Sequence, residues 1–275
     1  MKTIVAATDF SRVSINAVNY AADMACVTGA KLTLIHIYPV PVAISEIPVA
    51  AYSIEELEAE AGERMHHLVE KIRFRTGERI ITETQVKPGE VLKGIEEYCD
   101  TVDVYAVIMG AESAAGLERF LLGGKTIAAL KHLPWPLIVV PPDVRFASMR
   151  KIGLACDYKK VTDSIPFREI KSLVKEFDAE LHVLYVRRAE TGSANFEFIR
   201  ESEWLKDMIS ELNPKYHIIV DTDTEKGIID FAEKNKLDLL IIFPKKHSLS
   251  ERIFHYSHSK RLVLHTHVPV MSIHE

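Results

Sequence analysis

Residues Met109 to Thr126, MGAESAAGLERFLLGGKT, have the types and spacing best suited to chemistry in this chain. An apolar run of strand-forming residues, Val104 to Met109, ends at Gly110, and a Gly123-Gly124 pair opens a predicted helix from Lys125 to His132. A loop between a strand end and a helix start suits an anion. The first amides of the helix and its dipole point into the loop, and glycines let a phosphate come close to the backbone. An ordinary strand-to-helix loop, with glycines serving only its turns, fits the same segment.

The elements that position this loop recur along the chain. Lys2 to Thr8 is a nearly all-apolar run that predicts a strand buried on both faces of a parallel sheet, with Asp9 directly after it. Ser11 is placed to cap a helix running to Thr28, which Gly29 stops. Lys31 to Ile37 predicts the second strand, and the Pro-rich segment Tyr38 to Tyr52 a long loop. Ser53 and Glu56 form a capping box for a helix to Arg75. Ile80 to Val86 predicts a third strand, Pro88-Gly89 the start of a helix to Tyr98, and Leu137 to Val140 a fifth strand. Strands alternating with helices imply a doubly wound parallel sheet, whose ligands bind outside the carboxyl ends of the strands. Asp9 and Gly110 both fall there.

The chain then starts again. RKIGLACD at Arg150 matches KTIVAATD at Lys2, and ERIFHYSHSKRLVLHTHVPVMSI at Glu251 aligns without a gap to ERFLLGGKTIAALKHLPWPLIVV at Glu118. Two tandem domains follow, residues 1–145 and 146–275, joined through the Pro-rich PPDVRFASM that begins at Pro141. Where the first half has Gly110, Ser113, Gly123 and Gly124, the second has Phe243, Lys246, Tyr256 and Ser257, so the expected phosphate loop belongs to the first half alone.

Composition excludes several classes. Hydrophobic residues at 47% and charged residues at 27% describe a globular chain with a sizeable core. A net charge of −5 offers no basic field for nucleic acid. Three cysteines, Cys26, Cys99 and Cys156, lack CxxC spacing and fit a reducing cytoplasm. No apolar run approaches the ~18 residues of a membrane span. The histidines His255, His258, His265 and His267 form no regular ligand set with Cys or carboxylate, and a polar face or partner surface accounts for them better than a metal. The acidic run Glu55 to Glu63 and the pair His66-His67 read as solvent faces. No nucleophile elbow, HExxH or P-loop is present, so the chain shows no catalytic constellation, and any hydrolysis would be slow and incidental.

With these residues in view the chain resembles the universal stress protein family in its tandem form. ATDFS at Ala7 to Ser11 is similar to the family's first strand and nucleotide-contacting acid. The loop is similar to the family's ATP-binding pattern of Gly, two residues, Gly, nine residues, Gly, then Ser or Thr, with Gly110, Ser113, Gly123 and Gly124 in those places. Spacing is kept, while Ser113 and Gly124 depart in type.

The resemblance implies two Rossmann-like, adenine nucleotide alpha hydrolase-like five-stranded sheets packed as an intramolecular pseudo-dimer, with Leu137 to Val140 facing Val270 to Ile273. It also implies that Thr8 and Asp9 contact the adenosine end of ATP or a related adenine nucleotide, and that Ile37 lines the base pocket. Met109 and Gly110 would lie along ribose and phosphates, with Gly123, Gly124, Lys125 and Thr126 around the phosphate tail and Mg²⁺ as the accompanying ion. The second domain would be structural or bind a protein partner, the chain acting in the cytoplasmic stress response either as a single pseudo-dimer or as a homodimer, alternatives that the sequence leaves open. A nucleotide-free scaffold with both loops degenerate is the competing reading.

Overall fold

The computed structural model describes residues 1–39, 54–111, 124–156, 166–187, 196–243, 261–263 and 266–274. The first half runs β1 (Thr3–Ala7), α1 (Arg12–Thr28), β2 (Lys31–Tyr38), α2 (Ile54–Thr76), β3 (Thr82–Pro88), α3 (Val91–Cys99), β4 (Val104–Gly110), α4 (Gly124–His132) and β5 (Leu137–Val140). The second runs β6 (Lys151–Ala155), α5 (Phe167–Glu176), β7 (Glu180–Arg187), α6 (Phe196–Ile209), β8 (Lys215–Val220), α7 (Thr224–Lys234), β9 (Leu239–Ile242) and β10 (Val270–Ser272). Among the described residues, no helix is long and apolar enough to cross a membrane.

The strands form one ten-stranded sheet in the order β3-β2-β1-β4-β5-β10-β9-β6-β7-β8. Each half is a doubly wound five-stranded parallel sheet, and the two meet antiparallel at β5 and β10, with Leu137 opposite Ser272, Ile138 opposite Met271 and Val139 opposite Val270. That is the pairing of last strands that the family resemblance implies. Successive strand residues point to opposite faces. Ile4, Leu32, Leu34 and Ile108 therefore pack under α1 and α2, whereas Val5, Ile35, Val107 and Met109 pack under α3 and α4.

Local chemistry fixes the element ends. The Ser11 hydroxyl accepts from the Ser14 amide, and Gly29 adopts φ 67° to donate its N–H to the Ala25 carbonyl. Gly94 on α3 and Gly227 on α7 occupy equivalent places in the two halves. A Cβ on Gly94 would lie 2.5 Å from Ile37 Cδ1, and one on Gly227 would lie 3.2 Å from both Ile219 Cγ2 and Asp221 Cβ, so both glycines let a helix sit close on its strand. The third strand lies two residues later than the sequence reading placed it, because the apolar run beginning at Ile80 is not what pairs. Ile81 is exposed, and Pro88 sits at the end of an edge strand, where a missing amide is tolerated. The capping box of Ser53 lies outside the described residues.

In the second half, His182 on β7 and His217 on β8 lie with rings nearly parallel and share a hydrogen bond of 3.0 Å between Nδ1 and Nε2. Phe231 of α7 covers both rings. Burial pushes both imidazoles below their ordinary value. The Glu180 carboxylate, 3.4 Å from His182 Nε2, opposes this for His182, and Lys215 and Lys151 reinforce it. With the folded values depressed below 6.5, the unfolded chain binds more protons at mild acidity, so stability is complete above pH 6.5 and falls as pH drops below it toward the folded values. His217→Phe should flatten this slope in thermal melts between pH 7.5 and about 5; an unchanged slope would remove the pair as its cause.

Candidate functional site

The strand order reverses between β1 and β4, and at that point β1 leads into α1 on one face of the sheet while β4 leads toward α4 on the other. A cleft opens there. Its apolar floor is Ala7, Ile35, Ile37 and Met109, Val13 and Val91 wall it, and its polar rim is Thr8, Asp9, Ser11, Ser14, Gly110, Lys125 and Thr126. The structure thus brings together Thr8, Asp9, Ile37, Met109, Gly110, Lys125 and Thr126 from the sequence-predicted set. Gly124 is the first residue of α4, with open space where its Cβ would stand. Ser113 and Gly123 lie outside the described residues.

The β1–α1 turn is built around a residue that sequence reasoning passed over. The buried Ser14 hydroxyl lies 3.0 Å from Thr8 Oγ1, accepts from the Asp9 amide at 3.3 Å and donates to the Ser11 carbonyl at 3.1 Å. Asp9 Oδ1 accepts from the Ser11 amide at 2.9 Å, and Thr8 Oγ1 from the Phe10 amide at 3.0 Å. This web holds Phe10 at φ 63°, a left-handed conformation costing a non-glycine residue about 1–2 kcal/mol. From there the Phe10 ring packs 4.5 Å from His36 and under the Arg64 guanidinium at 4.6 Å. His36 Nδ1–H donates to the Thr8 carbonyl at 2.7 Å, pinning the turn from behind. The only sequence signal for Ser14 was its place three residues after a capping serine. Ile35 is implied by Ile37 through the period of two along a strand.

Electrostatics keep Asp9 ionised. Burial pushes its carboxyl up, but the residue keeps an exposed surface, and hydrogen bonds with Ser11, Ser14 and the backbone outweigh that cost, leaving it below the usual carboxylate range. His36 is pushed down, by burial first, and the Thr8 carbonyl only partly opposes this.

Two of these residues also have structural roles. A Cβ on Gly110 would lie 2.8 Å from Val13 Cγ1 and 2.9 Å from the Val13 carbonyl, so the glycine lets α1 approach β4 whether or not a ligand is present. The Thr126 hydroxyl donates to the Gly110 carbonyl at 3.2 Å and is buried, which ties the start of α4 to the end of β4. Chemically, the cleft combines an apolar slot, an ionised carboxylate at its rim, a lysine and a helix N-terminus. That set fits an aromatic heterocycle carrying an anionic tail. Among the described residues no group of three His, Cys, Asp or Glu side chains could hold a metal ion, and His255, His258 and His265 lie outside them.

With fold and cleft defined, comparison with known proteins places the chain. The model of the universal stress protein family matches twice, over residues 1–141 and 149–274. The chain belongs to the universal stress protein family, in tandem form. A universal stress protein of Methanocaldococcus jannaschii is 29% identical over 140 residues, covering 50% of this chain and 81% of that protein. A universal stress protein of Archaeoglobus fulgidus superposes over 99% of this chain and 98% of its own, with TM-score 0.75 and 16% identity. A Pseudomonas aeruginosa protein of unknown function covers 100% of this chain and 92% of its own, with TM-score 0.67 and 13% identity. These structures share the whole two-half architecture.

Ser14→Ala leaves the Ser11 cap in place while removing the centre of the turn. It should cost about 1 kcal/mol in urea unfolding and raise the Asp9 pKa in a carboxyl NMR titration. An unmoved Asp9 titration would contradict the role given to the Ser14 hydroxyl.

Proposed function

We propose that the first half binds ATP or a related adenine nucleotide, accompanied by Mg²⁺, and that the second half is a structural or partner-binding domain of a cytoplasmic stress-response protein. The observation that carries this is the convergence, at the switch point of the sheet, of an apolar slot with Asp9 on one side and Lys125 with the α4 N-terminus on the other. The base lies along Ile35 and Ile37, Thr8 and Asp9 face the sugar end, and the phosphate tail runs past Met109 and Gly110 toward Gly123, Gly124, Lys125 and Thr126. Ser113 borders the tail.

The second half supports the division of roles. Arg261, at the place of Ala128 in the repeat, is held by Glu225 at 3.2 Å and Asp223 at 3.1 Å. The start of α7 therefore carries two carboxylates around one cation, an acidic setting that does not favour an anionic tail nearby. A nucleotide-free scaffold is favoured by one observation, the packing of Gly110 against Val13, which accounts for that glycine without a ligand.

Calorimetric titration of the full chain with ATP and Mg²⁺ separates the two readings. Binding is expected, weakened at least tenfold, about 1.4 kcal/mol, by Asp9→Ala and by Gly123→Val. No heat from the unaltered chain, together with no adenine nucleotide in the mass spectrum of the purified protein, would leave the scaffold.

A further inference from the structure

The two outer strands of the sheet are finished differently. At one end, β3 carries Glu83 and Lys87 and stops at Pro88, the charged and proline-blocked edge that discourages pairing with another chain. At the other end β8, Lys215–Val220, has no charge or proline after its first residue. Asp221 donates its amide to the Arg187 carbonyl of β7, so by the alternation of a strand the amides and carbonyls of Tyr216, Ile218 and Val220 point away from β7, to the open edge. The side chains of the same residues lie on one face and are 37%, 65% and 57% exposed. Lys206 of α6 stands over the Tyr216 ring, and Trp204 and Met208 of the same helix are 45% and 41% exposed. Among the described residues nothing pairs with this hydrogen-bonding edge, and it adjoins exposed apolar side chains, the combination that marks an interaction surface.

We propose that β8 is the docking edge for a second copy of this chain, paired antiparallel about a twofold axis through Ile218. That register is selected by charge and by side-chain pairing. It sets Lys215 of one copy, which also bonds Glu180 of its own chain at 2.7 Å, opposite Asp221 of the other, whose Oδ1 accepts from the Asp223 amide at 2.9 Å, with Tyr216 opposite Val220 and Ile218 opposite itself, giving opposite charges at both ends and aromatic against β-branched pairs on the exposed face. It also makes the outward-facing amides of Tyr216, Ile218 and Val220 the hydrogen-bonded positions of the new ladder. A register centred one residue earlier would oppose His217 to His217 and Lys215 to Ile219, losing the charge match. Because the contact is isologous, it closes at two chains and continues the ten-stranded sheet of one copy into that of the other. This pairing lies at the far end of the sheet from the first-half cleft, so it stands or falls separately from nucleotide binding.

Sedimentation equilibrium of the full chain over a wide dilution series tests it. The unaltered chain should pass from single chains to dimers as concentration rises. Ile218→Lys, which places a cation at the twofold axis, should remain single chains, as should Asp221→Lys, which faces Lys215 of the other copy. Phe74→Lys, at a residue 93% exposed on α2, is the control and should dimerise like the unaltered chain. Circular dichroism melts of each variant verify folding. An unaltered chain that stays single at every concentration, a dimer that survives either β8 substitution, or growth beyond two chains would overturn the proposal.

Discussion

The antiparallel seam between β5 and β10 is the constraint on which the rest of the molecule depends. Leu137, Ile138, Val139 and Val140 are at most 1% exposed, the burial of strands in the middle of a sheet. Strands this apolar belong in the middle of a sheet, and pairing the two last strands makes a middle out of two edges. Contacts on either side follow. His274, just after β10, reaches the Leu130 carbonyl of α4 at 3.0 Å, and the Tyr105 hydroxyl of β4 donates to Glu176 of α5 at 2.7 Å. The segment between the halves is drawn into the same core. Phe146 packs edge-on against Tyr20 of α1 and near Phe177, while Asn16 of α1 donates to the Pro141 and Val144 carbonyls. The linker is therefore a packed strap, which explains why its sequence is apolar as well as Pro-rich.

The cleft follows from the same layering. α1 and α4 lie on opposite faces of the sheet, so the turns that lead to them diverge, and the gap between them cannot be filled by either helix. What the sequence must then supply is a turn after β1 that stays open. The left-handed Phe10 opposes this, and the hydrogen bonds around Thr8, Asp9, Ser11 and Ser14 offset it, with the Phe10 ring placed between His36 and Arg64. The polar groups of the turn satisfy one another, and Asp9 keeps an exposed outer surface.

Much of this was legible in the residues. Strand five was read with its observed bounds, and the doubling of the fold followed from the ungapped match of the two terminal segments, since a repeated sequence with a repeated period has to build the same element twice. What could not be read was each residue's neighbour across the fold. Gly110 looked like a residue spared a side chain for a ligand, but the space it leaves is taken by Val13, almost a hundred residues away in the chain. The Thr126 hydroxyl looked available, and it is engaged by the carbonyl of that same glycine. Ser14 carried no motif, because its importance lies in where its oxygen falls between two turns. The third strand was misplaced because hydropathy marks burial, and β3 is a half-exposed edge whose extent is set by its partner β2.

The comparison of Gly110 with Phe243 shows how one scaffold can serve two ends. Both stand at the carboxyl end of a central strand, β4 or β9, and both direct their Cβ position toward the face that carries α1 or α5. In the first half the missing side chain admits the opening turn of α1, so the strand end, the Ser14 web and the cleft are pulled together. In the second, the Phe243 ring packs into the core on that face. A bulky residue there is compatible with the strand, the sheet order and the seam, all of which rely on residues further back along β9 and β10. It is incompatible only with a helix start as close as that of α1. The position where both halves keep glycine, Gly94 in one and Gly227 in the other, lies where a helix crosses a strand, and there the sheet itself requires the space. The scaffold's need for space is thus met twice, while the glycine that admits the start of α1 belongs to the first half alone.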